Sequence, residues 1–249
     1  MNIKEFLIEK IKVRLGDKKA IVGVSGGVDS AVVASLCVRA LGKDNVELIT
    51  MPYGEQDMTN AFLLARALDL PIIKRNIDTI VDHIYSLVNS TFNCTLVKQD
   101  TLISRDIPRD FDKKLVLGNI MARERMVLLY ALANMLDGYV MGTGNFSELE
   151  VGYYTKYGDG AVDFEVLGNL FKSEVYNLAR ELEIPREIIE AKPSAGLWEG
   201  QTDEKEMGIT YDDIELVLKN KLPMDDKRVK KVLEMQKANN HKNFAIERF

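Results

Sequence analysis

Cysteine and histidine are scarce in this chain, with two of each among 249 residues. Cys37 falls in an apolar helical stretch and Cys94 in a mixed one, and neither stands in a C-x-x-C spacing. A cysteine-rich zinc site is therefore excluded, and nothing asks for a disulfide. A nucleophilic cysteine would need a base, and His83 and His241 are the two histidines on offer, which argues against cysteine catalysis. Positive charge is also in deficit: 33 Lys and Arg against 38 Asp and Glu give a net charge of −5. A general nucleic-acid binder usually carries a basic surface, so nucleic acid is not an expected partner, although a local basic patch stays open. No apolar run is long enough to span a bilayer, so no membrane partner is expected either. The opening MNIKEFLIEKIKVRLG mixes charged and apolar residues with a helical period, unlike the uninterrupted apolar core of a signal peptide. Ile3, Phe6, Leu7, Lys10 and Ile11 suggest an amphipathic helix packed on the domain. Internal repeats, low-complexity tracts and dividing linkers are missing too. The expectation is one domain over residues 1–249, cytoplasmic, with 46% hydrophobic residues to build its core.

Strand-like apolar runs recur at residues 20–24, 46–51, 72–77 and 139–143, separated by helical patterns at 28–41, 59–70 and 117–136. This alternation predicts an α/β fold, a parallel sheet with helices on both faces. Residues 78–97 begin helically and lose clarity, and residues 98–114 read as a connection or a short helix with a loop. The glycine- and tyrosine-rich stretch 152–160 cannot be a regular helix. Residues 171–183 are helical again, and 185–191 suit another turn or two. Residues 192–206 form a long polar stretch, a candidate lid that orders on substrate binding.

The most informative stretch is IVGVSGGVDS at residues 21–30, an apolar strand, a glycine loop and a helix start. Backbone N–H groups and a positive helix end converge there on a place that suits phosphate. Ser25 and Ser30 add hydroxyls. Asp29 would repel a phosphate unless a cation such as Mg²⁺ lay between them. Two common nucleotide loops are absent: the lysine of G-x-x-x-x-G-K-[ST] is missing, and G-x-G-x-x-G does not fit. The string SGGVDS resembles the pyrophosphate loop of the ATP pyrophosphatases, which split ATP between its α and β phosphates. The bland alternative is a tight strand-to-helix turn with Asp29 as a solvated cap.

A second constellation follows the apolar run at 139–143. It brings Thr143, Glu148, Lys156, Asp163 and Lys172 into a region that should face the first loop. Glu148 would supply a second carboxylate beside Asp29, and Lys172 a point charge for phosphate. Taken singly, each reads as an ordinary surface residue. Together, SGGVDS (25–30), MPYGEQ (51–56), GNIMARERM (118–126), MGTGNFSE (141–148), TKYGDGAVDFEVLGNLFKSEV (155–175), KPSAGL (192–197), GITYDDIE (208–215) and HKN (241–243) closely resemble the NAD synthetases almost end to end.

The resemblance implies a Rossmann-like, adenine-nucleotide alpha-hydrolase-like sheet. It also implies a carbon–nitrogen ligase that amidates deamido-NAD with ATP, Mg²⁺ and ammonia to give NAD, AMP and pyrophosphate. By the same resemblance Gly23, Val24, Ser25, Gly26, Gly27, Val28, Asp29 and Ser30 would hold the ATP phosphates, with Met51 near adenine. Thr143, Lys172 and Ser194 would also contact ATP; the family often has threonine at the last of these. Asp29 and Glu148 would bind Mg²⁺ and, with Lys172, act in catalysis. Arg123, Lys156, Asp163, His241 and Lys242 would contact deamido-NAD. Val28 stands where many relatives carry glutamine. A homodimer is likewise implied. Glutamine-using relatives carry an added amidase domain, and the early position of the glycine loop favours direct use of ammonia. Other readings are a GMP synthetase or tRNA-modifying ligase sharing the first loop, an ATP-binding sensor, and an NAD-linked oxidoreductase. The 155–175 segment and the HKN end argue against the first. The paired acids argue against the second, and the missing dinucleotide fingerprint against the third.

Overall fold

The computed structural model describes residues 2–90, 95–98, 101–104, 112–194 and 201–243. Its elements run α1 (Ile3–Leu15), β1 (Lys19–Gly23), α2 (Val28–Leu41), β2 (Val46–Thr50), α3 (Thr59–Leu68), β3 (Ile72–Lys74), α4 (Asp78–Ser90), β4 (Thr95–Lys98) and β5 (Thr101–Ser104). They continue with α5 (Lys113–Leu136), β6 (Gly138–Gly142), α6 (Phe146–Val151), β7 (Phe164–Glu165), α7 (Lys172–Glu181), α8 (Arg186–Ile189), α9 (Asp203–Met207), α10 (Tyr211–Leu218) and α11 (Lys227–Asn243).

Five strands form one sheet in the order β3-β2-β1-β6-β7, every neighbouring pair parallel. The central strand β1 reads as a continuous apolar run because both its faces are covered. Successive side chains alternate between those faces. Ala20 and Val22 pack with Val32, Leu36 and Leu178 on the α2 and α7 side. Ile21 packs with Ala133 and Val140 under α5. The chain winds from β1 to β2 on one side and reaches β6 on the other, so a switch point opens at the carboxyl ends of β1 and β6. Ligands bind at such crevices in open α/β sheets.

A separate apolar cluster of Val151, Met207, Ile209, Tyr211, Ile214 and Val232 joins α6, α9, α10 and α11. It carries the end of α11 to the tyrosine-rich stretch after α6. There Asn239 Nδ2 donates to Val151 O at 3.0 Å.

The expected strands and helices stand where periodicity placed them, within a few residues. Four local readings need correction. Part of residues 98–114 is extended: β4 and β5 pair antiparallel, Thr95 opposite Ser104, and α5 starts at Lys113, four residues before the pattern suggested. In α1 the inward residues are Ile11 and Leu15 with Leu7 and Ile8 partly covered, whereas Ile3 and Phe6 are exposed. The polar stretch 192–206 contains the start of α9, with residues 195–200 outside the described set. The 17-residue α11 has no counterpart among the helices read from the pattern. Cys37 is fully buried and its thiol pushed up to about 12 by burial, so it packs as a hydrophobe. Cys94 lies outside the described residues.

Candidate active site

At the end of β1 the chain turns through Ser25, Gly26 and Gly27 into α2. Gly26 has φ +91°, and a Cβ there would stand 3.2 Å from the Asn60 Cβ, so both conformation and space call for glycine. The loop is closed by its own hydroxyls: Ser25 Oγ accepts from Gly27 N at 3.2 Å, and Ser30 Oγ donates to Gly27 O at 3.0 Å. Asp29 sits in the first turn of α2.

Glu148 comes from α6, whose start is encoded locally. Asn145 and Glu148 form a reciprocal cap, the Asn145 side chain accepting from Glu148 N at 3.1 Å. The other end of that amide, Nδ2, donates to Asp29 Oδ1 at 3.1 Å. Lys172 opens α7 and lies between the two acids, its ammonium 2.5 Å from Asp29 Oδ2 and 3.2 Å from Glu148 Oε1. Its side chain is only 4% exposed, so the charge is tolerated because it is paired. Burial works against the ammonium, but Asp29 and Glu148 outweigh it and hold the group above the usual lysine range. Burial in turn lifts the Glu148 carboxyl to about 7, against the pull of Lys172. The Tyr211 hydroxyl lies 2.9 Å from Glu148 Oε1 and 2.9 Å from Asp203 Oδ2.

Two cavities open beside this cluster, of about 960 and about 300 Å³. Ser25, Thr143, Tyr153, Tyr154, Asp159 and Ser194 line both, so the two meet. The smaller is bordered by residues 25–30 together with Glu148 and Lys172. The larger is bordered by Gly23, Val24, Met51, Arg123, Lys156, His241 and Lys242. Asp163 lines neither: its Oδ2 accepts from Val140 N at 2.7 Å, which ties it to β6. Two lysines expected to contact substrate also bind the chain. Lys156 Nζ donates to His241 O at 2.5 Å, and Lys242 Nζ to Gly152 O and Tyr154 O at 2.6 and 2.7 Å. Arg123 donates to Lys156 O at 3.3 Å through its terminal nitrogen. These bonds build one wall of the larger cavity from α5, the 152–158 turns and the end of α11.

Sequence reasoning missed Asn145, Arg125, Glu165, Asp203 and Tyr211 as parts of the site. The N-x-x-E cap was a legible signal for Asn145. Arg125 donates to Met51 O and Gln56 Oε1 at 3.0 and 2.9 Å, fixing the loop after β2, and burial lowers its guanidinium to about 10. Glu165 accepts from Gly144 N at 3.1 Å, and burial raises its carboxyl to about 8. No local pattern marks Asp203 or Tyr211, which reach the site through tertiary packing.

A parallel sheet with a glycine loop at its switch point, facing paired acids and a nucleotide-sized cleft, defines an enzyme of the adenine-nucleotide alpha-hydrolase-like class. The family model described as NAD synthase matches residues 1–245, and the chain belongs to that family. A relative from Pyrococcus furiosus, an NH(3)-dependent NAD(+) synthetase, is 46% identical over 211 residues, which is 84% of this chain and 72% of the relative. Among solved structures, an NMN synthetase from Francisella tularensis superposes with a TM-score of 0.85 at 30% identity, covering 99% of this chain and 97% of the other. An NH3-dependent NAD synthetase from Campylobacter jejuni gives 0.77 at 27% identity, covering 100% and 99%.

Proposed function

We propose that this chain is an ammonia-dependent ligase of a single domain that converts deamido-NAD to NAD at the expense of ATP. The observation that carries the reading is the Asp29–Lys172–Glu148 cluster at the mouth of the 25–30 loop, in a chain of the NAD synthase family. Two carboxylates from separate elements aim at one point and hold a cation there. That donor set fits Mg²⁺, a hard cation that takes carboxylate oxygens and phosphate together. Bound there, Mg²⁺ supplies charge neutralisation to the phosphates. Among the described residues no cluster of three or more His, Cys, Asp or Glu side chains suits a metal, so the remaining ligands would come from nucleotide and water.

A carboxylate is a poor acyl donor because its leaving group would be oxide. In the first step a nicotinate oxygen attacks the α-phosphorus of ATP. The bond from that phosphorus to the β-bridging oxygen breaks, pyrophosphate leaves, and an acyl-adenylate forms. The Gly26 N–H, the Ser25 hydroxyl and the Lys172 ammonium receive the charge on the departing pyrophosphate, joined by the Gly27 N–H and the Ser30 hydroxyl as these exchange their loop-closing bonds for phosphate. Ammonia then attacks the acyl carbon, the bond to AMP breaks, and the nitrogen loses a proton. Ammonia is already nucleophilic, so the cleft's task is to hold the two substrates in line and exclude water. Thr143 and Ser194 sit where the cavities meet and are assigned to ATP, with Met51 against adenine. Arg123, Lys156, His241 and Lys242 are assigned to the dinucleotide. Asp163 lines neither cavity, so its part in dinucleotide binding is indirect: it braces Val140 N of β6 behind the cavity wall.

The same proposal includes a homodimer and a cytoplasmic location. Leu115, Val127 and Met135 on α5, with Ile80, Leu87 and Val88 on α4, leave apolar side chains exposed on two helices that pack together, which supports self-association. No helix among the described residues is long and apolar enough to cross a membrane. The test is incubation with ATP, Mg²⁺, deamido-NAD and ammonium, following NAD, AMP and pyrophosphate in equal amounts. Absence of NAD while ATP binds normally overturns the reading. A second reading, amidation of nicotinate mononucleotide, is favoured by the likeness to the Francisella tularensis structure.

A further inference from the structure

Lys172 cannot serve the site in one place. Where it stands it bridges Asp29 and Glu148, and a divalent cation shared by those carboxylates would need the same ground. Like charges at that spacing exclude each other. When the ammonium moves toward phosphate, each acid must be kept in place by something else. Asp29 has Asn145, a fully buried amide whose Nδ2 reaches Oδ1. Glu148 has the hydroxyl of Tyr211, 2.9 Å from Oε1. Both donors are neutral, so neither competes with a metal for the carboxylate charge.

Tyr211 is well built for this task. Its ring is 5% exposed and packs in the cluster of Val151, Met207, Ile209, Ile214 and Val232. Its backbone N–H donates to Glu204 Oε1 at 3.0 Å. A phenol is protonated at neutral pH, so the hydroxyl is a donor there. The hydroxyl has one proton and two carboxylate neighbours, Glu148 Oε1 and Asp203 Oδ2. Asp203 is also 3.3 Å from the Tyr153 hydroxyl, which in turn lies 2.8 Å from Glu206 Oε2. A chain of polar contacts thus runs from α9 to Glu148 through Tyr211.

We infer that Tyr211 is a positioning residue for the divalent cation: its hydroxyl holds Glu148 in coordinating orientation once Lys172 has left the space between the acids. The inference rests on the reading of Asp29 and Glu148 as metal ligands. Partners of this kind, one bond behind a metal ligand, are typically worth about 10–100-fold in metal affinity.

The test uses Tyr211→Phe, which keeps the ring and its packing and deletes the hydroxyl. Mn²⁺ serves as the probe, its binding followed by electron paramagnetic resonance on the whole protein with α,β-methylene-ATP present. The expected result is Mn²⁺ affinity weakened by about 10-fold or more. The Mg²⁺ concentration for half-maximal turnover should rise by a similar factor. The thermal midpoint and nucleotide affinity without metal should stay near wild type. Unchanged Mn²⁺ affinity overturns the inference. So does a parallel fall of metal-free nucleotide affinity and thermal midpoint, which would mark a structural role. Glu148→Gln separates the two levels. If it weakens Mn²⁺ binding and Tyr211→Phe does not, the role of Tyr211 alone fails. If Glu148→Gln has no effect, the metal reading fails with it.

Discussion

Lys172 is almost fully enclosed and still carries charge, because two carboxylates flank it at hydrogen-bond distance. Replacing it by Met leaves those acids facing each other and takes a donor from the departing pyrophosphate. Turnover should fall by about 10²–10³, the usual cost of one such donor. Lys172→Arg should not restore it, since a planar fork does not fit a gap built for a point charge. Steady-state rates on both variants check this, and a fall under about tenfold for Lys172→Met would remove the lysine from the chemistry. Glu165 gives a different kind of test. Its carboxyl is raised from 4.5 to about 8, chiefly by burial. The folded chain therefore keeps a proton there that the unfolded chain has released, and stability declines as pH rises through that window, levelling off above it. Glu165→Gln keeps an acceptor for Gly144 N and removes the titration. Its thermal midpoint should exceed wild type by about 2 °C or more at alkaline pH, with the gap closing below pH 4.5. Parallel melting curves across that range would refute it.

Among elements, those with a strong period were legible and those held by tertiary contacts were not. The strand, loop and helix at 19–41 could be read almost to the residue, because an apolar strand, two glycines and an apolar helix follow one another directly. The β4–β5 hairpin could not, since its strands are four residues each and lie in a charged stretch. Nor could α11, a polar helix with two buried residues, Val229 and Val232. Its C-terminal half passes closely over the turn after α6. Gly152 has φ +67°, and a Cβ there would fall 2.3 Å from the Asn239 Cβ. Gly152→Ala should cost about 1–2 kcal/mol in backbone strain alone. The clash must also push α11, and His241 and Lys242 with it, from the cavity wall. A drop of about 4 °C or more in the thermal midpoint and a raised KM for deamido-NAD are expected. A melting curve and a KM both equal to wild type would refute the coupling. On α5, Val127 is 49% exposed one turn from Arg123. Val127→Glu should give monomers in sedimentation velocity if this face joins two copies. A wild-type chain already monomeric at micromolar concentration would reject the proposed dimer.

For the whole molecule, the paired acids and their lysine were recognisable as a motif, but the way the cleft is closed was not. Tyr211 stands 63 positions from Glu148 in the chain and meets it only because α6, α10 and α11 share one apolar cluster. The cleft's extent is likewise a property of the folded chain. The loop-side cavity is about 300 Å³ and the larger one about 960 Å³, and the latter runs from the end of β1 to the end of α11. A mononucleotide reacting at the Asp29–Glu148 cluster would leave the α11 end unfilled. A dinucleotide would reach it and gain contacts from His241 and Lys242. Remote contacts of that kind are used to orient the reacting carboxylate, so losing them lowers turnover as well as binding. Deamido-NAD should therefore surpass nicotinate mononucleotide by about tenfold or more in kcat/KM, the equivalent of one modest interaction. Lys242→Ala should shrink that ratio by slowing the dinucleotide and leaving the mononucleotide rate unaltered. Equal kcat/KM for the two substrates, or a Lys242→Ala variant that slows both alike, would assign the far end of the cavity to something other than substrate recognition.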